Sequence, residues 1–158
     1  MTTRYFAYCT LLDHDEMRRF CPNAVPVGVG RITGYRVGFA GYTADGARGG
    51  CQLLDEPDHT VFGLVYELSE TEAAHLDDIS GVGQGFYTRI EVAVDMLSDG
   101  GAALACVTYV IPQPVLDFRP STEYVRPILA GARALQLPDE YIAELEATIA
   151  AAVAPDGE

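Results

Sequence analysis

Two β-branched runs, Phe86 to Met96 and Ala102 to Ile111, are joined through Ser98-Asp99-Gly100-Gly101. Glycines behind an aspartate supply the positive-φ positions of a hairpin turn, so this stretch predicts two antiparallel strands. Helix signals stand on both sides of it. Ser69 and Glu72 form a capping box ahead of a helix over Glu70 to Ile79, with Leu68 placed to pack back on its first turn and Ala73, Leu76 and Ile79 on the buried side. Two more helices are expected at Thr122 to Leu135 and Asp139 to Val153, with Pro127 in the opening turns of the first or kinking it. A hairpin among interspersed helices predicts an α+β fold, a mixed sheet curled into a barrel with helices outside.

Earlier in the chain, Tyr5-Phe6-Ala7-Tyr8 reads as a strand entering a short loop at Cys9-Thr10-Leu11-Leu12. Asp13, with Glu16 three residues on, opens a short helix that ends near Cys21-Pro22. Val25 to Tyr42 is Gly-punctuated and β-branched, one bent strand or two, and Thr60 to Leu68 is a further strand. The Gly, Asp and Pro content of Ala44 to Asp58 predicts a loop between them. The 158 residues suffice for one domain, expected over 1–153 with a frayed tail at 154–158. A chain this long buries ~70% of its unfolded surface, so it needs neither metal nor disulfides for a core.

Composition excludes several chemistries. All ten basic residues are arginine, which removes Schiff-base chemistry, pyridoxal phosphate attachment and the phosphate-loop lysine together. Arginine without lysine, beside abundant Ala and Gly, is also a codon signature of a GC-rich and hence bacterial genome. The net charge of −13 repels phosphate backbones and anionic membrane faces, so neither nucleic acid nor membrane is an expected partner. The longest apolar stretch is far short of a membrane span, and no secretory signal opens the chain. A cytoplasmic protein is expected, its four cysteines filling core rather than forming bridges.

Motifs that imitate known sites read structurally. Gly81, Gly83 and Gly85 follow a helix and open a strand, the reverse of a dinucleotide fingerprint, and are expected as a flexible loop beside a pocket. Asp13-His14-Asp15-Glu16 has no second histidine at helical spacing and reads as a cap, so no metal site is expected. His59 stands in an acidic loop without evident partners, and five residues on a helix set His75 and Ser80 about 140° apart, so they do not meet as base and nucleophile. Cys9 stands where a strand meets a tight loop, as a nucleophile would, or as a small buried hydrophobe.

Taken in order, several segments resemble the gamma-glutamylcyclotransferase-like family. Tyr5-Phe6-Ala7-Tyr8 is similar to its opening Tyr-Phe-Ala-Tyr-Gly-Ser-Asn-Leu, and Val61 to Leu68 to its next strand. Leu76-Asp77-Asp78-Ile79-Ser80-Gly81, followed by Tyr87 and Arg89, resembles its Leu-Asp-x-x-Glu-Gly segment. Val107 to Val110, Gly131-Ala132 and Leu137 to Tyr141 complete the series. The resemblance implies a small barrel that works without cofactor or metal. Its first loop, here with Tyr8, Cys9, Thr10, Leu11 and Leu12, would cradle a gamma-glutamyl group, while Tyr87 and Tyr124 face the pocket. It also places the family's acid/base glutamate at Ser80 and its loop Gly-Ser-Asn at Cys9-Thr10-Leu11.

A serine hydroxyl cannot replace a carboxylate base at neutral pH. The expected activity is therefore a repurposed small-molecule enzyme doing cyclisation or amine/amide chemistry on an amino-acid-like metabolite, as in specialised biosynthesis. Asp78, nearest in sequence, or Glu123, beside Tyr124, would carry the base, or Cys9 would act as nucleophile. The alternative is a domain that binds a small molecule or partner without turning it over.

Overall fold

The computed structural model describes residues 2–98 and 100–153. Its strands are β1 (Thr2–Ala7), β2 (Val25–Gly41), β3 (Gly49–Ser69), β4 (Thr88–Met96) and β5 (Ala103–Val110). Its helices are α1 (His14–Phe20), α2 (Glu70–Ile79), α3 (Thr122–Ala134) and α4 (Asp139–Ala152). The strands close into a barrel in the order β1-β3-β2-β4-β5, antiparallel except where β1 meets β5. The α+β barrel expected from the sequence is the fold observed. The expected frayed tail, 154–158, lies outside the described residues.

Local chemistry explains most boundaries. The Ser69 hydroxyl accepts from the Glu72 amide and starts α2, and Ser121 caps α3 through the Tyr124 amide in the same way. Asp13 caps α1 through the Asp15 amide, while Glu16 turns to Arg19 instead of completing a capping box. β4 and β5 pair along their whole length, from Thr88↔Val110 to Asp95↔Ala103. Val25 to Gly41 is one strand, irregular at Pro26/Gly28 and Thr33/Tyr35.

Two expectations need correction. The loop expected over 44–58 is confined to its first residues, 44–48, because β3 begins at Gly49 and pairs with β2 from Gly41↔Gly49 to Tyr35↔Asp55 before pairing resumes at Thr33↔Thr60. The buried Cys51 and Leu53 pin the strand to the core. Pro57, which lacks a ladder donor, falls in the gap where pairing is broken. Ile79 does not join Ala73 and Leu76 in the core, since it is 43% exposed while they are almost wholly buried. The helix ends at that residue, and its face opens onto a cavity.

Phe6, Val61, Tyr66 and Val94 of the strands share one buried core with Met17 of α1 and Ile128 of α3. A buried amide ties β3 to the end of β5: Gln52 donates from Nε2 to the Ile111 carbonyl at 2.8 Å and accepts from the Ile111 amide at 2.9 Å. Helix α3 lies directly on the Thr10–Leu12 turn, and Gly131 permits it, because a Cβ there would overlap the Leu12 and Asp13 backbone. The turn after β1 is thus held between barrel and helix.

Candidate functional site

One end of the barrel opens into a cavity of about 340 Å³. Its wall is built mainly from tyrosines: Tyr5 and Tyr8 at the end of β1, Tyr109 on β5, Tyr87 before β4 and Tyr124 on α3, with Cys9, Leu11 and Cys51 beside them. The Gly81–Gly85 segment runs along the rim. Leu11 and Cys9 line the space without filling it.

Cys9 and Cys51 form a disulfide, with Cα atoms 6.2 Å apart. The expectation that all four cysteines are core filler holds for the buried, free Cys21 and Cys106 and is corrected for this pair. The turn after β1 brings Cys9 over β3, a juxtaposition that 42 residues of sequence separation conceal. A disulfide sulfur carries no proton and no thiolate, so in this state Cys9 is no nucleophile. It lies 3.6 Å from the Tyr124 hydroxyl, which must be the donor.

Around this bridge the tyrosines are fixed by backbone groups. The Tyr124 hydroxyl accepts from the Cys51 amide at 3.2 Å, and Tyr87 donates to the Cys51 carbonyl at 2.9 Å. Tyr8 donates to the Tyr109 carbonyl at 2.7 Å. Gly50 lets both hydroxyls approach, since a Cβ there would collide with each. Tyr109 donates to Asp77, whose carboxylate also holds Arg89 Nε at 2.7 Å. Burial pushes Tyr8, Tyr87, Tyr109 and Tyr124 above the usual phenol range, and the Asp77 charge adds to this at Tyr109. All four are neutral hydrogen-bonding groups at physiological pH.

The charged residues on the cavity wall are Asp78 and Arg48. Asp78 belongs to the last turn of α2, two residues before Ser80, which caps that helix and also lines the cavity. The structure therefore brings together Tyr8, Cys9, Leu11, Asp78, Ser80, Tyr87 and Tyr124. Three of the sequence candidates lie elsewhere. Leu12 is in the core, 1% exposed. Thr10 and Glu123 face a neighbouring groove with Asp13, Glu16, Arg19 and Arg126. That groove touches the cavity only through Phe20 and Tyr124, which belong to both. Glu123, in the first turn of α3, is exposed and looks outward.

Sequence reasoning passed over Arg48, Tyr42 and Phe86. The Tyr42 and Phe86 rings stack at 4.5 Å, and the Arg48 guanidinium lies over both, 5.6 and 5.2 Å from their centroids. The one available hint was an arginine flanked by glycines in Gly46-Ala47-Arg48-Gly49-Gly50. Among the described residues no group of histidine, cysteine and carboxylate side chains could hold a metal ion.

Residues 60–145 match the AIG2-like family. A gamma-glutamylcyclotransferase of Bos taurus is 30% identical over 141 residues, covering 87% of this chain and 73% of the relative. The chain belongs to the AIG2-like, gamma-glutamylcyclotransferase-like family. Solved structures agree with this placement. One titled gamma-glutamyl cyclotransferase superposes with a TM-score of 0.84 at 26% identity, covering 100% of this chain and 91% of the other. An uncharacterized human protein superposes with a TM-score of 0.86 at 25% identity, covering 99% and 90%. This AIG2-like chain carries its cavity at the end of the barrel where the turn after β1, the end of α2 and the start of α3 converge. No helix of the described residues is long and apolar enough to cross a membrane.

Proposed function

We propose that this chain is a cofactor-independent cyclotransferase acting on a small amide of gamma-glutamyl type, with Asp78 as its acid/base carboxylate. Asp78 carries the reading, because it is the carboxylate on the wall of a cavity whose other lining groups are neutral side chains and Arg48. The substrate α-ammonium would release one proton to solvent, and as the freed amine attacks the γ-carbonyl carbon its next proton would pass to Asp78. The new C–N bond closes a five-membered ring, the old amide C–N bond breaks, and the leaving amine takes the proton from Asp78. The products are 5-oxoproline and an amine.

The tetrahedral oxyanion needs donors. The Thr10–Leu12 turn makes its first internal bond from the Leu12 amide to Cys9, which leaves the Thr10 and Leu11 amides outside that bonding pattern. Orientation within a fixed cavity supplies the remainder, since the attack is intramolecular. Ser80 contributes a hydroxyl as a hydrogen-bonding group, its own ionisation lying far above working pH. Glu123 faces a different groove and has no part in the chemistry.

The test is mass-spectrometric detection of 5-oxoproline from a panel of gamma-glutamyl amino acids and gamma-glutamyl amines. Release is expected from the wild type, with Ser80→Ala and Glu123→Gln retaining it. Asp78→Asn should lose roughly 100-fold or more, the scale of general acid/base catalysis. Activity that survives Asp78→Asn would move the base elsewhere. No release from any substrate would favour a ligand-binding domain, a reading supported by the serine that stands where the resemblance places the family's glutamate.

A further inference from the structure

The Tyr42–Phe86–Arg48 stack does more than close the rim. Arg48 follows the short turn between β2 and β3. There Thr43 Oγ1 donates to Asp45 Oδ1 at 2.7 Å, the Ala47 amide donates to the same oxygen at 3.0 Å, and the Tyr42 amide donates to the Arg48 carbonyl at 2.8 Å. This turn sets Arg48 opposite Tyr42 and lays the guanidinium on the two rings. Phe86 is anchored in turn by its amide, which donates to the Gly81 carbonyl at 3.0 Å. The guanidinium carbon lies within cation–π range of both rings, and among the described residues its N–H groups are not committed to a carboxylate. Among the described residues Arg48 makes no ion pair, although Arg4, Arg19, Arg36, Arg89 and Arg133 each do.

Among the described residues Arg18, Arg31, Arg119 and Arg126 make none either, but none of them lines the cavity, and the chain carries 23 acids against ten bases. The overall field repels anions, so an anionic group enters this cavity only if a local cation offsets that field. Arg48 is the cation on the wall, and stacking pre-orients its fork for planar, bidentate recognition of a carboxylate. It is exposed and sits at the mouth, whereas Tyr8, Leu11 and Tyr109 are buried at the inner end.

We infer that Arg48 is a specificity-determining residue that selects ligands carrying a carboxylate on the end facing the mouth, the departing amine of the proposed reaction. This rests on the reading that the cavity takes gamma-glutamyl amides. Arg48 takes no part in proton transfer; it discriminates between leaving groups.

Two probes differ by this one group: gamma-glutamyl-alanine, and gamma-glutamyl-ethylamide, which lacks the alanine carboxylate. Binding is measured by calorimetry in an Asp78→Asn background, where turnover is suppressed, with and without Arg48→Gln. The expected result is a preference of roughly 10- to 100-fold for gamma-glutamyl-alanine, the range of a charge-assisted hydrogen-bonded pair. Arg48→Gln should abolish this preference, and Arg48→Lys should restore it in part. If Arg48 only braced the rim, both ligands would weaken together and the preference would persist. That outcome, equal binding of the two ligands, or no binding of either overturns the inference. Release of 5-oxoproline by the wild type reports on the underlying reading separately, because it requires no preference between the two amides.

Discussion

Opening the Cys9–Cys51 bridge should destabilise the protein strongly. The bridge spans 42 residues of sequence, a loop that holds α1, all of β2 and the start of β3. Cross-linking a loop of this length removes about 13 cal/mol/K from the unfolded chain, or about 4 kcal/mol at 25 °C. For a protein of this size that corresponds to a melting temperature lower by roughly 8–16 °C after reduction. Urea denaturation of the oxidised protein and of the same protein held in dithiothreitol measures the difference directly. Reduction of the wild type is preferable to Cys51→Ala, which would add a cavity term of its own. Thiol titration in denaturant without reductant should find two reactive cysteines, Cys21 and Cys106, and four after reduction. Four at the outset, or coincident unfolding midpoints in the two states, would refute the reasoning.

Gly50→Ala should push the Tyr87 and Tyr124 hydroxyls off their Cys51 partners, costing about 1–3 kcal/mol of stability and most ligand binding in the cavity; unfolding and ligand calorimetry check the two effects. Ser69→Ala should cost about 1 kcal/mol by removing the α2 cap, and Ser69→Asp should restore it, read from denaturation midpoints. At alkaline pH the stability should decline. Burial pushes the Cys21 and Cys106 thiols up from an ordinary value of 9.0 to about 11, with the Glu72 charge adding to the rise at Cys21. Their contribution is complete below pH 9.0, where both states hold the proton, and is lost as pH rises toward about 11 because the unfolded chain ionises first. Urea midpoints measured from pH 8 to pH 11 should fall over that window, and Cys21→Ala with Cys106→Ala should remove the part that sets in near pH 9.0, leaving the part the buried tyrosines add as phenols of the unfolded chain ionise around 10.0.

The elements legible in the sequence are those that local chemistry specifies. The Ser69 cap, the turn glycines between β4 and β5 and the apolar spacing of α4 each act within a few residues, and each structure stands where it was expected. The β2–β3 ladder was illegible over residues 49–58 because Asp55, Glu56, Pro57 and Asp58 have turn composition. Pairing with β2 overrides that preference on either side of the broken register at Pro57. The disulfide was hidden for the same reason, since the contact belongs to the barrel and not to any motif. At the site, Asp78 and Ser80 travel together on the end of α2, so a resemblance anchored on that segment placed both. Glu123 is adjacent to Tyr124 in sequence, yet successive helical residues point about 100° apart, and the carboxylate faces the neighbouring groove. Arg48 was missed because its importance lies in two rings, one of them contributed by a residue far along the chain.

The barrel closes unevenly. The β1–β3, β2–β3 and β4–β5 ladders are long, but β1 meets β5 at the single pair Tyr5↔Val107, and β2 meets β4 only at Gly30↔Met96 and Arg31↔Asp95. Mechanically the sheet is two stiff panels joined by two narrow hinges. Side chains fasten one hinge: Thr108 donates to the Phe6 carbonyl at 2.7 Å, and Tyr8 to the Tyr109 carbonyl. Tyr87 and Tyr109 ride on or beside the β4–β5 panel, whereas Tyr8 and the Cys9–Cys51 bridge ride on the other. The long ladders leave the width of the tyrosine cavity unfixed at these hinges, and the hydrogen bonds that cross between the panels, Tyr8 to Tyr109, Tyr87 to Cys51 and Gln52 to Ile111, hold it.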